Sequence, residues 1–221
     1  MSAGHFQEFE DEYLEAMYGF YEKNPDERVR TGILAESLKI SPASATEMVQ
    51  RLAAKGFLDY LPYKGSSLTA MGLEHGRMMK RRHRLARVLL EHLPFEGDHD
   101  DTACRLEHAI NDDLDVALSI YFGNPNIDPI GRDIPKIRTE LSERLKSKSS
   151  GVRNLSNMQK GESGKVSFIS LSSDDINLIS SLGIEIGTEI IFDGEYKIKS
   201  SNKILKIDES ISNNILLDLR H

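Results

Sequence analysis

The segment Ser41-Pro42-Ala43-Ser44-Ala45-Thr46-Glu47-Met48-Val49-Gln50-Arg51-Leu52 decides the fold. Serine is a good N-cap and proline is favoured at the first helical position, so a helix opens at Ser41-Pro42. Ala45, Met48, Val49 and Leu52 recur at i, i+3, i+4 and i+7 and make one buried stripe. Gly56 follows where a C-cap glycine belongs. The outward face, from Ala43, Ser44, Thr46 and Glu47 to Gln50 and Arg51, is small, polar and hydrogen-bonding. Upstream, Thr31–Leu38 is a short helical pattern, and Lys39-Ile40 is a brief turn. Two short helices, the second opening with small polar residues, have helix-turn-helix geometry, in which the second helix enters the major groove N-terminus first. Any antiparallel helix pair shares the pattern. Downstream, Phe57–Leu61 predicts a strand, Tyr63–Ser66 a hairpin tip and Ser67–Thr69 a return strand. A hairpin after a recognition helix is a wing, with Lys64 at its tip in reach of a phosphate or the minor groove.

Working outward, residues 6–23 predict an amphipathic helix with Phe6, Phe9, Tyr13, Met17, Phe20 and Tyr21 near the helical period. Asn24-Pro25 ends it, because the residue before proline avoids the α region. Its acids Glu8, Asp11, Glu12 and Glu15 read as a solvated face. A long helix runs from Ala70 to Leu93, and its basic middle, Lys80–Arg84, also reads as solvated. An acidic loop at 97–101 leads to a helix over Cys104–His108, and Asn111 caps the next one. Residues 124–135 hold three prolines and one glycine and are irregular. A helix is expected at 135–147 and a Ser/Lys/Gly linker at 147–151. Beyond it, short strands at 165–171, 188–192, 196–200, 204–207 and 215–219, with one helix at 174–182, predict a small barrel. The expected domains are 1–72, 73–147 and 152–221, and the fold class is mainly α with a small all-β domain.

The chain has 221 residues and 39% hydrophobic content, enough for one or two cored domains. No apolar run is long enough to span a membrane and no secretory leader opens the chain. One cysteine excludes an intrachain disulfide framework and fits a reducing cytoplasm. The net charge of −7 argues weakly against nucleic acid, but the charge is segregated. Pro25–Leu93 carries twelve Lys/Arg against seven acids, whereas Met1–Asn24 carries one against six and Phe95–Leu118 one against eight. A basic segment suits phosphates and its acidic flanks suit a cation.

Cys104-Arg105-Leu106-Glu107-His108 supplies a chemistry for those flanks. Positions three and four apart share a helix face, so Cys104, Glu107 and His108 offer a thiol sulfur, a carboxylate and an imidazole together. That is most of a mixed-ligand site for a divalent transition metal. A buried thiol beside a surface ion pair is the bland alternative. His83 is a further ligand candidate. A metalloenzyme could use the same set, but it needs an open coordination position and a cleft, and no second catalytic constellation is evident. The chain is therefore read as not an enzyme.

These motifs resemble those of the diphtheria toxin repressor / iron-dependent regulator family, most closely its archaeal iron-dependent regulators. The resemblance rests on Cys104–His108, on Lys80–Leu85 ending in His83-Arg84-Leu85, on Phe122-Gly123-Asn124-Pro125, on Ser41–Leu52 and on Lys160–Lys165. It covers nearly the whole chain. It implies an N-terminal winged helix, a central metal-binding and dimerisation domain, and a C-terminal SH3-like barrel. It also implies a cytoplasmic homodimer formed through the helices around 100–122. The activity it implies is binding of a double-stranded DNA operator to repress iron homeostasis genes. The primary metal site it implies is Glu12, Cys104, Glu107 and His108. Glu12 departs from the methionine of iron-responsive relatives and the aspartate of manganese-responsive ones. Thiolate and imidazole favour Fe²⁺, Co²⁺, Ni²⁺ or Zn²⁺, and the added carboxylate admits Mn²⁺. Fe²⁺ is the expected effector and Mn²⁺ the alternative. Glu15 matches a ligand of the manganese-responsive relatives, in which His83 also joins the primary site. At the ancillary site, His83 matches, Arg87 stands in place of a glutamate and Asp100 in place of a histidine. Ser172 and Asp175 replace two barrel ligands, which leaves His83, Asp100 and Asp175 as its candidates. On the DNA side, Ser41, Ser44, Thr46 and Glu47 match the exposed start of the recognition helix. Arg28, Arg30, Arg51 and Lys64 are the candidate phosphate contacts. Glu47 departs from the usual amide or lysine, but its carboxylate can accept from a cytosine amino group.

Overall fold

The computed structural model describes residues 3–149, 151–169, 171, 173–200 and 203–219. The chain forms two compact units: Met1–Asn111 with Asn126–Arg138, and Asp112–Pro125 with Thr139–His221.

The first unit runs α1 (Ala3–Lys23), α2 (Thr31–Ser37), α3 (Pro42–Ala54), β1 (Leu58–Leu61), β2 (Gly65–Leu68), α4 (Ala70–Glu91) and α5 (His99–Ala109). The turn between α2 and α3 passes through Lys39 at φ +55°. The Ser41 hydroxyl caps α3, accepting from the Ser44 N–H at 3.1 Å. Leu34, Ala45, Val49 and Leu52 bury completely against Tyr13, Leu14 and Met17 of α1, which ties the helix-turn-helix to the first helix. The wing is antiparallel, with Leu58 opposite Leu68 and Leu61 opposite Gly65. Val29 adds a third partner, exchanging backbone hydrogen bonds of 2.8 and 2.9 Å with Ser66. Gly65, at φ +97°, makes that approach close: a Cβ there would lie 2.5 Å from the Val29 carbonyl oxygen.

α4 is the central helix, with α1 and α5 both packed on it. Gly76 permits the approach of α1, since a Cβ at that point would meet the Leu14 carbonyl oxygen at 2.5 Å. Two sequence expectations fail along these helices. Phe9 is not part of the buried stripe of α1 but is 51% exposed. The basic middle of α4 is not a solvated face, because Arg81, Arg84 and nearby Arg87 are buried. Irregular backbone leaves carbonyls without regular partners, and guanidinium forks can supply them. Arg81 Nη1 donates to the Pro135 carbonyl at 2.7 Å, and Arg84 donates to the Asp133 carbonyl while pairing with Glu22 at 2.6 Å.

The second unit holds α6 (Asp112–Tyr121), α7 (Thr139–Ser149), a sheet and two short helices, α8 (Ser173–Ser181) and α9 (Glu209–Ser212). The strands are β3 (Val152–Asn154), β4 (Ser163–Ile169), β5 (Glu189–Gly194), β6 (Lys197–Ser200), β7 (Lys203–Lys206) and β8 (Ile215–Asp218). They form one antiparallel sheet in the order β3-β8-β4-β5-β6-β7, the small all-β element expected at this end. Alternate side chains of β4, β5 and β6 point inward. The core they build includes Val166, Ile190, Ile198 and Ile215 with Ile179 and Ile184.

Three boundaries move. The helix expected at 135–147 runs from Thr139 to Ser149, so most of the expected linker is its last turn, where Lys146 and Lys148 suit the negative end of the helix. β3 begins directly after it, unanticipated, and pairs with β8. The hairpin between β5 and β6 turns at Glu195 and Tyr196, at φ +49° and +57°, so β5 runs on to Gly194, past the expected strand end at 192. Two left-handed residues make this kind of tight turn, but neither is the Asn or Gly that normally advertises one.

Candidate metal centre and DNA-binding face

α1, α4 and α5 bring acids and imidazoles together inside the first unit. Glu15 of α1, His83 of α4 and Glu107 of α5 place one donor atom each within 4.8 Å of one another. His83 Nδ1 lies 2.8 Å from Glu107 Oε2 and 3.7 Å from Glu15 Oε1. The other oxygen of Glu107 faces the other way, with Oε1 at 3.7 Å from His108 Nε2. Glu107 is fully buried, and among the described residues neither its Oε1 nor His108 Nε2 has a hydrogen-bond partner. Unsatisfied buried donors and acceptors are costly, and here they surround one carboxylate. The residues present therefore fit a divalent transition ion.

Electrostatics agree. Burial, reinforced by the Glu15 charge, pushes the Glu107 carboxyl up to about 9. Burial, then Glu107, Glu12 and Glu15, push the Cys104 thiol up to about 12. Burial likewise raises Glu12. Anionic ligands crowded together in a buried cluster hold protons, which a cation would displace. Burial lowers His83, keeping its imidazole neutral and able to ligate.

Asp11 has a different place. Its Oδ1 is 2.6 Å from His75 Nε2 and its Oδ2 is 3.5 Å from His108 Nδ1. Although burial alone would raise Asp11, the two imidazoles outweigh it and bring the carboxyl down to about 2. His108 is raised, first by Asp11. A carboxylate behind a histidine is the usual orienting partner of a metal-binding imidazole, and it leaves Nε2 free to ligate.

Sequence reading treated Asp11 as solvated and attached no role to His75. No local pattern marks them, because their meeting depends on how α1 crosses α4. Of the residues expected at the metal centre, Glu12 and Cys104 are half-buried beside this cluster and His108 borders it, while Glu15 and His83 lie at its heart. Asp100 lies 3.8 Å from His83 Nε2 but is ion-paired with the buried guanidinium of Arg87. A cation of the chain's own, Arg87, thus already holds the Asp100 carboxylate. Asp175 lies on α8 in the second unit, and Ser172 lies outside the described residues.

The candidate DNA-binding face is α3 with the wing. Ser41, Ser44 and Glu47 are exposed at the start of α3, although the Ser41 and Ser44 hydroxyls bond each other at 2.8 Å and Thr46 donates to the Pro42 carbonyl at 2.8 Å. Arg30 and Lys64 are exposed. Arg28 instead braces the wing, donating to the Asp59 carbonyl at 2.9 Å and pairing with its carboxylate. Arg51 Nε and Lys55 Nζ donate to Glu10 of α1 at 2.6 and 2.7 Å. Glu10 is 4% exposed; burial would raise it, but Lys55 and Arg51 together hold it below the usual carboxylate range. α1 thus meets the reader helix with one side and the metal cluster with another.

A winged helix-turn-helix joined through one helix to a cluster that could hold a divalent metal ion fits a metal-dependent, DNA-binding transcriptional regulator. The iron dependent repressor N-terminal DNA binding domain matches residues 5–66, and the iron dependent repressor metal binding and dimerisation domain matches residues 69–136. An HTH-type transcriptional regulator of Methanocaldococcus jannaschii is 35% identical over 113 residues, 50% of this chain and 90% of that one. The diphtheria toxin repressor of Corynebacterium efficiens is 28% identical over 166 residues, 71% of each. A manganese-dependent transcriptional repressor solved with manganese shares the fold at a TM-score of 0.52, with 23% identity over 95% of this chain and 99% of that one. The chain belongs to the iron-dependent repressor family, whose members include the diphtheria toxin repressor. Among the described residues no helix is long and apolar enough to cross a membrane.

Proposed function

We propose that this chain is a cytoplasmic, homodimeric repressor of iron homeostasis genes that binds its operator when it holds Fe²⁺. The observation that carries the proposal is the convergence of Glu15, His83 and Glu107 from three helices, with Glu12, Cys104 and His108 alongside. A bound divalent ion supplies the positive charge that lets these carboxylates sit together. Glu107 joins the two halves of the cluster through its two oxygens. Asp11, held by His75, aims His108. Ligation from α1 to α5 restrains α1, and Glu10 passes that restraint to α3 through Arg51 and Lys55. In a dimer the two α3 helices then sit about 34–36 Å apart, or a multiple of that, to meet successive major grooves. Ser44, Thr46 and Glu47 read bases and Arg30 and Lys64 hold phosphates, while Arg51 stays on Glu10. Coupling is reciprocal, so operator DNA tightens metal binding by the factor by which metal tightens DNA binding.

A second reading has Mn²⁺ as the effector. The three donors that converge most closely are two carboxylates and one imidazole, without the thiol, and oxygen-rich sites suit Mn²⁺. Anaerobic titration of the natural chain and of Cys104→Ala with Fe²⁺ and Mn²⁺, each with and without iron-uptake promoter fragments, separates the two. Iron-dependent DNA binding that is lost in Cys104→Ala supports Fe²⁺. DNA binding switched by Mn²⁺ and indifferent to Cys104→Ala moves the assignment to manganese. DNA binding indifferent to both metals refutes the proposal.

A further inference from the structure

Lys80 belongs to the basic run of α4 and has no role in the scheme above. Its ammonium lies 2.8 Å from Glu15 Oε1, and the two side chains are only 16% and 12% exposed. The same Oε1 lies 3.7 Å from His83 Nδ1, so the oxygen that Lys80 holds is the one that faces the rest of the cluster. Gly19, one turn beyond Glu15 on α1, keeps the space above it open: a Cβ there would lie 3.7 Å from both Cε and Nζ of Lys80. That is ordinary contact distance, so a side chain larger than alanine would crowd the lysine end.

From this arrangement we infer that Lys80 is a built-in competitor for the metal centre, whose ammonium must release Glu15 Oε1 before that oxygen can become a ligand. The inference rests on Glu15 being a metal ligand. In the metal-free protein Lys80 gives Glu15 a positive partner on α4, while Glu107 and His108 on α5 keep unsatisfied atoms. One ammonium cannot satisfy donors from three helices, whereas a divalent ion can. Lys80 therefore sets the metal concentration at which α1 is joined to α5, rather than the geometry of the ligands. A partly buried ion pair is screened less than a surface one, and its loss is expected to show as about a tenfold tighter metal affinity.

The test is Mn²⁺ and Co²⁺ affinity of the full chain, measured anaerobically against a chelating indicator without DNA, for Lys80→Gln, Lys80→Met, Lys80→Arg and Glu15→Gln. Gln and Met are both good helix formers, so helicity and melting temperature serve as controls. Lys80→Gln and Lys80→Met should bind metal about tenfold more tightly than the natural chain, and Lys80→Arg, which keeps the charge, within about twofold of it. Glu15→Gln should weaken binding. Unchanged or weaker binding in both Lys80→Gln and Lys80→Met, with Glu15→Gln impaired, overturns the inference and leaves the metal centre standing. Full affinity in Glu15→Gln overturns the ligand assignment on which the inference rests.

Discussion

Glu10→Gln should separate metal binding from DNA binding. Glu10 is buried and takes Arg51 Nε at 2.6 Å and Lys55 Nζ at 2.7 Å on the same oxygen, with a second Lys55 contact of 2.7 Å on the other. Glutamine keeps the shape and loses the charge. The donors are 34% and 47% exposed, so each ion pair is discounted for solvent to about 0.5–1 kcal/mol. Together they hold α3 to α1 by about 1–2 kcal/mol, which corresponds to a factor of about 5–30 in an equilibrium constant. If α1 transmits metal occupancy through this clamp, the ratio of DNA affinity with and without metal should fall by about that factor. Metal affinity without DNA should stay within about twofold, because Glu10 contributes no donor to the cluster. Freed Arg51 and Lys55 also gain access to phosphate, which raises metal-free DNA binding and moves the ratio the same way. The assay is fluorescence anisotropy of a labelled promoter fragment retained by the metal-loaded natural chain, at one fixed salt concentration. A ratio equal to that of the natural chain would show that coupling bypasses Glu10.

Gly76→Ala places a methyl where the Leu14 carbonyl now sits at 2.5 Å, so α1 must retreat from α4; denaturant unfolding should show a loss of about 1–3 kcal/mol, and metal affinity should fall with it. Glu107, raised to about 9 in the fold from the ordinary 4.5, stabilises the metal-free protein in its neutral form. That contribution is full below about pH 4.5 and is lost as pH rises toward 9. Glu107→Gln should flatten the decline of metal-free stability between pH 5 and 9 by about 1 kcal/mol or more while abolishing metal binding, and a decline identical to that of the natural chain would contradict the burial argument. Metal binding to the natural chain should release protons and tighten as pH rises, as calorimetry in buffers of different ionisation enthalpy would show. Ile198→Ala, in the core of the second unit, should cost about 2–5 kcal/mol in that unit's unfolding transition.

What was legible in the sequence was what is local. Ser41-Pro42, the stripe from Ala45 to Leu52 and Gly56 specify α3 within one helix, and Cys104, Glu107 and His108 share a face by spacing alone. What was not legible depends on which helices meet. The acids of α1 looked solvated because a hydrophobic pattern marks only the apolar stripe and says nothing of what packs on the flank beside it. Asp11 and Glu15 are four residues apart and so lie on one face, where α4 and α5 supply His75, His83, Lys80 and His108. Glu10 is a single residue from Asp11, about 100° around the helix, and that rotation points it at α3 and its Arg51 and Lys55 instead. Neighbouring acids in one stretch therefore face the metal cluster and the DNA reader from the same rigid cylinder. Any rotation or shift of α1 imposed by ligation must also move Glu10, so the proposed coupling needs no chain of intermediates between the two sites.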